Sequence, residues 1–347
     1  MKKILALLLM GVITFSASAC GIGDNGPEEA STELNILMPE NYISEKLIHQ
    51  FEEINGCTVT ITALKDDNEA MALLAEETDV YDLIMTKDRN IDILMDEEYV
   101  KKIDKDNLPN SSTILDTFWR SKSYSLPYLM QYQYVVYDTK TCPIEITRYA
   151  DLQNPALKGQ ISVVDDERVL FPMALVALGV DPISTEDEVF VKGYNWVTRF
   201  VENVAVYGDG KKALLEGKVS AAIMYDRDAA EVMAKKNSLK IAPFVKDKVR
   251  LETDVFVIPV KAQHVDLAEK FLNYICDPEV MAANLEEYPY SCPNVVAEVL
   301  SSKEYQNRAE SQFDYKETVF FQTETKDAKE IYDRFYEQLK NPSVAEE

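Results

Sequence analysis

The 347-residue sequence contains two histidines, His49 and His264, and no C-x-x-C pair. Without paired thiolates or clustered imidazoles it offers no ligand set at zinc spacing. G-x-S-x-G, H-E-x-x-H, the EF-hand pattern and G-x-x-x-x-G-K-[ST] are also missing, so the usual signatures of an enzyme, a calcium site or a nucleotide site are not there. Basic residues are scarce: 36 Lys and Arg face 60 Asp and Glu, a formal charge of −24 at pH 7. That balance disfavours nucleic acid, because phosphate binding requires clustered Lys and Arg. Beyond the N-terminus no apolar run approaches the roughly 20 residues that span a bilayer.

What is present begins with MKKILALLLMGVITFSASAC: Lys2 and Lys3, an apolar stretch from Ile4 to about Ile13, then small residues up to Cys20. This pattern is a secretory signal peptide over 1–19. Ala17-Ser18-Ala19 fits ordinary cleavage, while Cys20 followed by Gly21 resembles a lipobox with Ala17 in place of its usual Leu. We favour lipidation of Cys20, with residues 20–32 as a flexible tether to the outer face of a bacterial cytoplasmic membrane. Cys57, Cys142, Cys276 and Cys292 are widely scattered among apolar neighbours. An exported chain could pair them as disulfides, but the spacing leans towards free thiols.

The remaining chain is 46% hydrophobic over its full count, that of a globular protein with a real core. From Leu34, β-type runs alternate with helix-type ones: LNILM, SEKLIHQFEEING, CTVTITAL, NEAMALLAEE, YDLIM. Ser44 is placed as an N-cap, Leu47, Ile48 and Phe51 form an apolar stripe, and Gly56 sits where a helix terminator belongs. His49, on the flank of that helix, reads as solvated. A second α/β stretch runs from QISVV through VLFPMALVALG to VSAAIMY, and VFVIPV, 255–260, returns towards the first. DAKEIYDRFYEQLK carries Ile331, Tyr332, Phe335, Tyr336 and Leu339 at helical spacing and predicts a packed terminal helix.

Few residues stand out for chemistry. YGDGKKALLEG has a G-x-G but neither a third Gly nor the P-loop spacing, and reads as a loop entering a helix. Asp165 and Asp166 follow the strand QISVV, where adjacent acids are more often a cap and a solvated neighbour. Asp254 stands directly before the apolar run 255–260, which places it at the mouth of an expected buried strand. A buried carboxylate is costly alone, so its partner should be water, a basic side chain or a cationic ligand.

The order of LNILMPENYISEKLIHQFEEINGCTVTI, YDLIM, YVKKID, YSLPY, YADLQNPALKGQISVVDDERVLFPMALVALG, LLEGKVSAAIMY, DVFVIPVKA, YPYSCPN and FFQ resembles the spermidine/putrescine-binding proteins of bacterial ABC transporters. The likeness runs from Leu34 to about Lys340. It implies an α/β, two-lobed periplasmic-binding-protein fold (type II) with a ligand cleft between lobes. One lobe takes 33–137 plus 256–300, the other 138–255 plus 301–347. It further implies a monomeric, extracytoplasmic, non-enzymatic binding protein without a cofactor, handing its solute to a membrane permease and ATPase.

Carried over position by position, the resemblance implies Tyr42 and Tyr290 as cleft aromatics, Asp166 as an ammonium ligand and Tyr225 where the family has tryptophan. It makes Asp254 the central amine-binding aspartate and Gln322 a terminal amine ligand. Cation–π attraction and charge-assisted hydrogen bonds would hold a polycation there. Pro39 and Glu252 replace family tryptophans, Val169 replaces a second acid, and Lys87 and Arg89 fill loop positions usually Ser and Tyr. If the basic pair points inward it repels a polyamine, and pairs with Asp254 or with a ligand carboxylate or phosphonate. The expected ligand is therefore a polyamine or related small amine, with a ligand bearing both an amine and an anionic group as the alternative. A surface sensor, an adhesin or a hydrolase is a remoter reading.

Overall fold

The computed structural model describes residues 32–164, 167–182, 184, 186–243, 247, 249–308, 319–321, 330–334 and 336–337. Three strands, β1 (Glu33–Met38), β2 (Thr58–Ala63) and β3 (Leu83–Lys87), lie parallel in the order β2-β1-β3. Parallel sheets need cover on both faces, and the side-chain alternation supplies it. Leu34, Ile36, Met38, Leu83 and Met85 face one way, onto Leu47, Ile48 and Phe51 of α1 (Glu45–Asn55). Leu37 and Ile84 face the other way, onto Ala70 and Leu74 of α2 (Asp67–Ala75) and Ile91 and Leu94 of α3 (Ile91–Asp96). Each of these Leu, Ile, Met and Phe side chains contributes about 1.5–3 kcal/mol when fully buried. Helix α1 stops at Gly56, whose φ of 63° is left-handed and whose N–H donates to Glu52 O at 2.8 Å. Ser44 holds the N-cap position as expected, but through its carbonyl, which accepts from Leu47 and Ile48.

Two long strands then join this half to a second. β4 (Leu126–Asp138) and β9 (Val249–Val257) are antiparallel and buried along their whole length. β9 also pairs with β3, while β4 changes partner: Leu126–Tyr132 run beside β9, Gln133–Tyr137 beside β7 (Ala221–Tyr225). Beyond β7 come β5 (Ile161–Val163) and β6 (Val204–Tyr207), both parallel, giving the order β2-β1-β3-β9-β4-β7-β5-β6. β8 (Leu239–Ile241) adds to β4, and β10 (Val319–Phe321) to β9. The two β/α stretches read from the sequence are therefore two halves joined by β4 and β9.

The second half is covered by α4 (Glu167–Ala177) and α5 (Asp187–Phe200). Phe190, Trp196, Val197 and Phe200 form the buried stripe of α5, with the Trp196 and Phe200 rings stacked 5.4 Å apart. Tyr332, from the C-terminal helical turns, packs edge-on against Phe190 at 5.1 Å and Phe171 at 5.8 Å. That docking fits the expected terminal helix; its Phe335 and Leu339 lie outside the described residues. The YGDGKKALLEG stretch enters α6 (Gly210–Leu215), capped by Asp209 accepting from Lys212 N at 3.2 Å. Cys57, Cys142, Cys276 and Cys292 are free thiols. His49 is exposed beside Glu52.

Candidate functional site

One row of polar side chains crosses the middle of the sheet. Its construction follows from register, since residues directly opposite on neighbouring strands project from the same face. Lys87, the last residue of β3, lies opposite Asp254 on β9. Glu252, two residues before Asp254, lies opposite Gln131 on β4, and Gln133, two further on, lies opposite Tyr225 on β7. The row thus runs Lys87, Asp254 and Glu252, Gln131 and Gln133, Tyr225 over four strands and both halves.

This placement corrects two readings. Asp254 is inside a strand, not at its mouth: β9 starts five residues earlier, at Val249. Arg250, Glu252 and Asp254 alternate with Leu251, Thr253 and Val255, so the strand carries a charged face that an expectation of apolar residues overlooks. Lys87, read as a loop residue, closes β3, and only Arg89 lies in the following 3-10 turn, Asp88–Asn90.

The charges are buried and matched. Lys87 Nζ donates to Asp254 Oδ1 at 2.5 Å and lies 3.4 Å from Glu252 Oε2. Asp254 Oδ2 accepts from Gln131 Nε2 at 2.6 Å and from the Tyr42 hydroxyl at 3.2 Å. Glu252 accepts from Arg89, from Arg250 at 2.8 Å and from the Tyr225 hydroxyl at 3.3 Å. Asp67, at the start of α2, anchors the turn from below. It takes Arg89 at 2.7 Å, Asn90 at 2.9 Å and Thr86 at 2.8 Å. Asp254 is 2% and Glu252 3% exposed, so these contacts replace hydration outright.

The titration behaviour has the same origin. Burial alone would lower Lys87, but Asp254, with Tyr42 and Tyr225, outweighs it and raises its pKa, so the ammonium keeps its proton. Burial would raise Asp67, yet Arg89 and Asn90 hold it below the usual range. Asp88 has weaker compensation: burial pushes it up to about 6 against the Thr253 N–H and the charges of Arg89, Arg250 and Lys87.

Aromatic rings flank the row. Tyr42 sits in the bend after β1, its carbonyl held by Asn284 Nδ2 at 2.9 Å and by the Tyr128 hydroxyl at 3.1 Å. Its ring lies 4.8 Å from that of Tyr290, and the Arg227 guanidinium covers Tyr290 at 4.8 Å while donating to its hydroxyl. Burial pushes the Tyr290 hydroxyl up to about 12 against Arg227, and burial together with Asp254 raises Tyr42 as well. The structure therefore brings together Tyr42, Lys87, Arg89, Tyr225, Glu252, Asp254 and Tyr290. Val169 is fully buried in α4. Asp166, Gln322 and Cys20 lie outside the described residues, although β10 ends one residue before Gln322. Gln131, Gln133, Asp67 and Arg250 were not read from the sequence. The signal for the first two was two glutamines two residues apart in an otherwise apolar run, LPYLMQYQYVVYD. Among the described residues no group of three or more His, Cys, Asp or Glu is arranged to hold a metal.

The chain matches the model of the family described as bacterial extracellular solute-binding protein over residues 46–312. It is 26% identical over 346 residues to the spermidine/putrescine-binding periplasmic protein of Escherichia coli K12, covering 96% of this chain and 97% of that one. The spermidine/putrescine ABC transporter substrate-binding protein PotD from Streptococcus pneumoniae superposes with a TM-score of 0.79 at 20% identity, over 89% of this chain and 99% of that structure. The TpPotD lipoprotein of Treponema pallidum gives 0.79 at 20% identity, over 88% and 99%.

Proposed function

We propose, from the premise that the chain belongs to the bacterial extracellular solute-binding protein family, that it captures spermidine, putrescine or a related small amine outside the cytoplasm. It then delivers that amine, chemically unchanged, to the permease and ATPase of an ABC importer. The observation that carries this reading is the Lys87–Asp254 pair at 2.5 Å. A primary alkylammonium already sits on a buried carboxylate beside the Tyr42 hydroxyl and near the Tyr290 ring, the chemistry by which an aliphatic amine would be gripped. The polyamine named for the E. coli relative supports the same ligand class.

The lobes, 33–137 plus 256–300 and 138–255 plus 301–347, close about β4 and β9 as a hinge, and the protein acts as a monomer. Asp166 and Gln322, an ammonium ligand and a terminal amine ligand by the family resemblance, belong to the proposed binding set. A second reading has one specific observation in its favour. Lys87, Arg89 and Arg250 all enter the row, and a ligand carboxylate or phosphonate could exchange into their pairs.

A thermal-shift panel of polyamines, amino acids and phosphonates tests the ligand class. A ligand at 100 times its Kd should stabilise the fold by about 2.7 kcal/mol, a rise of several degrees in Tm. Shifts with spermidine or putrescine are expected; shifts confined to amino acids or phosphonates would replace the amine reading with the second one.

Cys20 is the lipid anchor in this proposal. Cells fed a radioactive fatty acid should label the wild-type protein, and Cys20→Ala should shed unlabelled protein into the medium. An unlabelled wild type would rule the anchor out.

A further inference from the structure

Gln133 stands apart from the rest of the row. It is 1% exposed, and neither its Oε1 nor its Nε2 has a hydrogen-bond partner. Two residues away, Gln131 Nε2 donates both to Asp254 and to the Tyr42 hydroxyl. A buried amide that pairs with nothing is costly to the fold, and such groups are rare in native proteins. Its position is not incidental: it lies opposite Tyr225, whose hydroxyl reaches Glu252, so the amide shares the face and the line of the site.

The amide's chemistry narrows what it can meet. Oε1 needs an N–H donor and Nε2 needs an acceptor. An ammonium or guanidinium satisfies only the first, a carboxylate only the second, whereas an amide-type group of the ligand satisfies both at once. Charge points the same way. The carboxylates of Glu252 and Asp254 are already matched by Lys87, Arg89 and Arg250.

We propose that Gln133 selects amines that carry a neutral amide-type group at the end remote from Asp254, that is, N-acylated or carbamoylated diamines. This inference rests on the amine reading of the Asp254 row. Asp254 lies opposite Leu129 and Glu252 opposite Gln131. At about 3.4 Å per residue along the strand, Gln133 is therefore about 14 Å from the level of Asp254 and about 7 Å from that of Glu252. Gln131 Nε2, two residues nearer, already reaches Asp254 Oδ2 at 2.6 Å, so a diamine has only the remaining step of about 7 Å to span to the Gln133 amide.

Calorimetric titration of the intact mature protein with putrescine, cadaverine and their mono-N-acetyl derivatives tests the proposal. The wild type should bind an acetylated diamine about tenfold tighter than its parent. Gln133→Leu should abolish that preference, so that each acetylated diamine and its parent bind with equal affinity to the variant. The same substitution should raise the melting temperature of the ligand-free protein, because it removes an unpaired buried amide; a purely structural glutamine would lower it. Gln133→Glu should reverse the preference in favour of the diamine by restoring a counter-charge. Diamine binding without an acetyl preference, or a preference that survives in Gln133→Leu, would overturn the role of Gln133 alone. If none of the four compounds binds, the amine reading fails with it.

Discussion

Lys87→Met is expected to tighten spermidine and putrescine binding by roughly ten- to a hundredfold while making the ligand-free protein less stable. Both effects come from one contact. Lys87 Nζ, 2.5 Å from Asp254, occupies the place a ligand ammonium would take. In the wild type, an incoming amine must exchange with this tethered cation, and the exchange of one ammonium for another gains little. In the Met variant, the amine resolves an unpaired buried carboxylate, a charged hydrogen bond of about 1.5–3 kcal/mol. The ligand-free variant bears the opposite consequence, since removing one partner of a buried ion pair typically costs about 3–5 kcal/mol. Methionine keeps the apolar stem of the lysine in place, so lost packing does not confuse the result. Arg89 is left intact because it bridges Asp67 and Glu252, and its loss would strand two acids at once. A variant that loses stability without gaining affinity would mean that Lys87 stays on Asp254 when ligand binds.

Asp254→Asn should have the reverse effect on binding, weakening the amine by about 1.5–3 kcal/mol, again ten- to a hundredfold. The substitution preserves shape, and the amide oxygen still accepts from Gln131 or Tyr42, which donate at 2.6 and 3.2 Å to the native carboxylate. Lys87 retains Glu252, 3.4 Å away, so the fold should survive. Calorimetry with spermidine and putrescine reads the loss directly, and small-angle scattering of the ligand-free form reports whether domain closure has changed instead. Undiminished amine affinity would remove Asp254 from the site. Combined with Lys87→Met, the two changes should be strongly non-additive, because each acts through the other's partner.

These predictions depend on contacts that local sequence conveys unevenly. The rhythm of strands and helices was legible, as was the end of α1 at Gly56, because apolar periodicity and a left-handed glycine act within a few residues. The start of β9 was not. Three charged residues on one face of a buried strand are tolerated only because Lys87 and Arg89, more than 160 residues earlier, arrive beside Asp254 and Glu252. Compensation across that distance leaves no local pattern. Asp67 was hidden for the same reason: at a helix start it reads as an ordinary first-turn acid, and its work on Arg89 appears only when α2 packs beside β3. Of the site residues taken from the family resemblance, Tyr42, Tyr225, Asp254 and Tyr290 fall together. The basic pair, flagged as a departure, proves to be woven into the acids around them.

The most direct test of amine capture at Asp254 is a crystal structure of the mature protein with spermidine or putrescine. An ammonium nitrogen should lie within about 3 Å of the Asp254 carboxylate, with Lys87 Nζ displaced from its 2.5 Å contact. An intact Lys87–Asp254 pair, with the amine bound away from both, would contradict it.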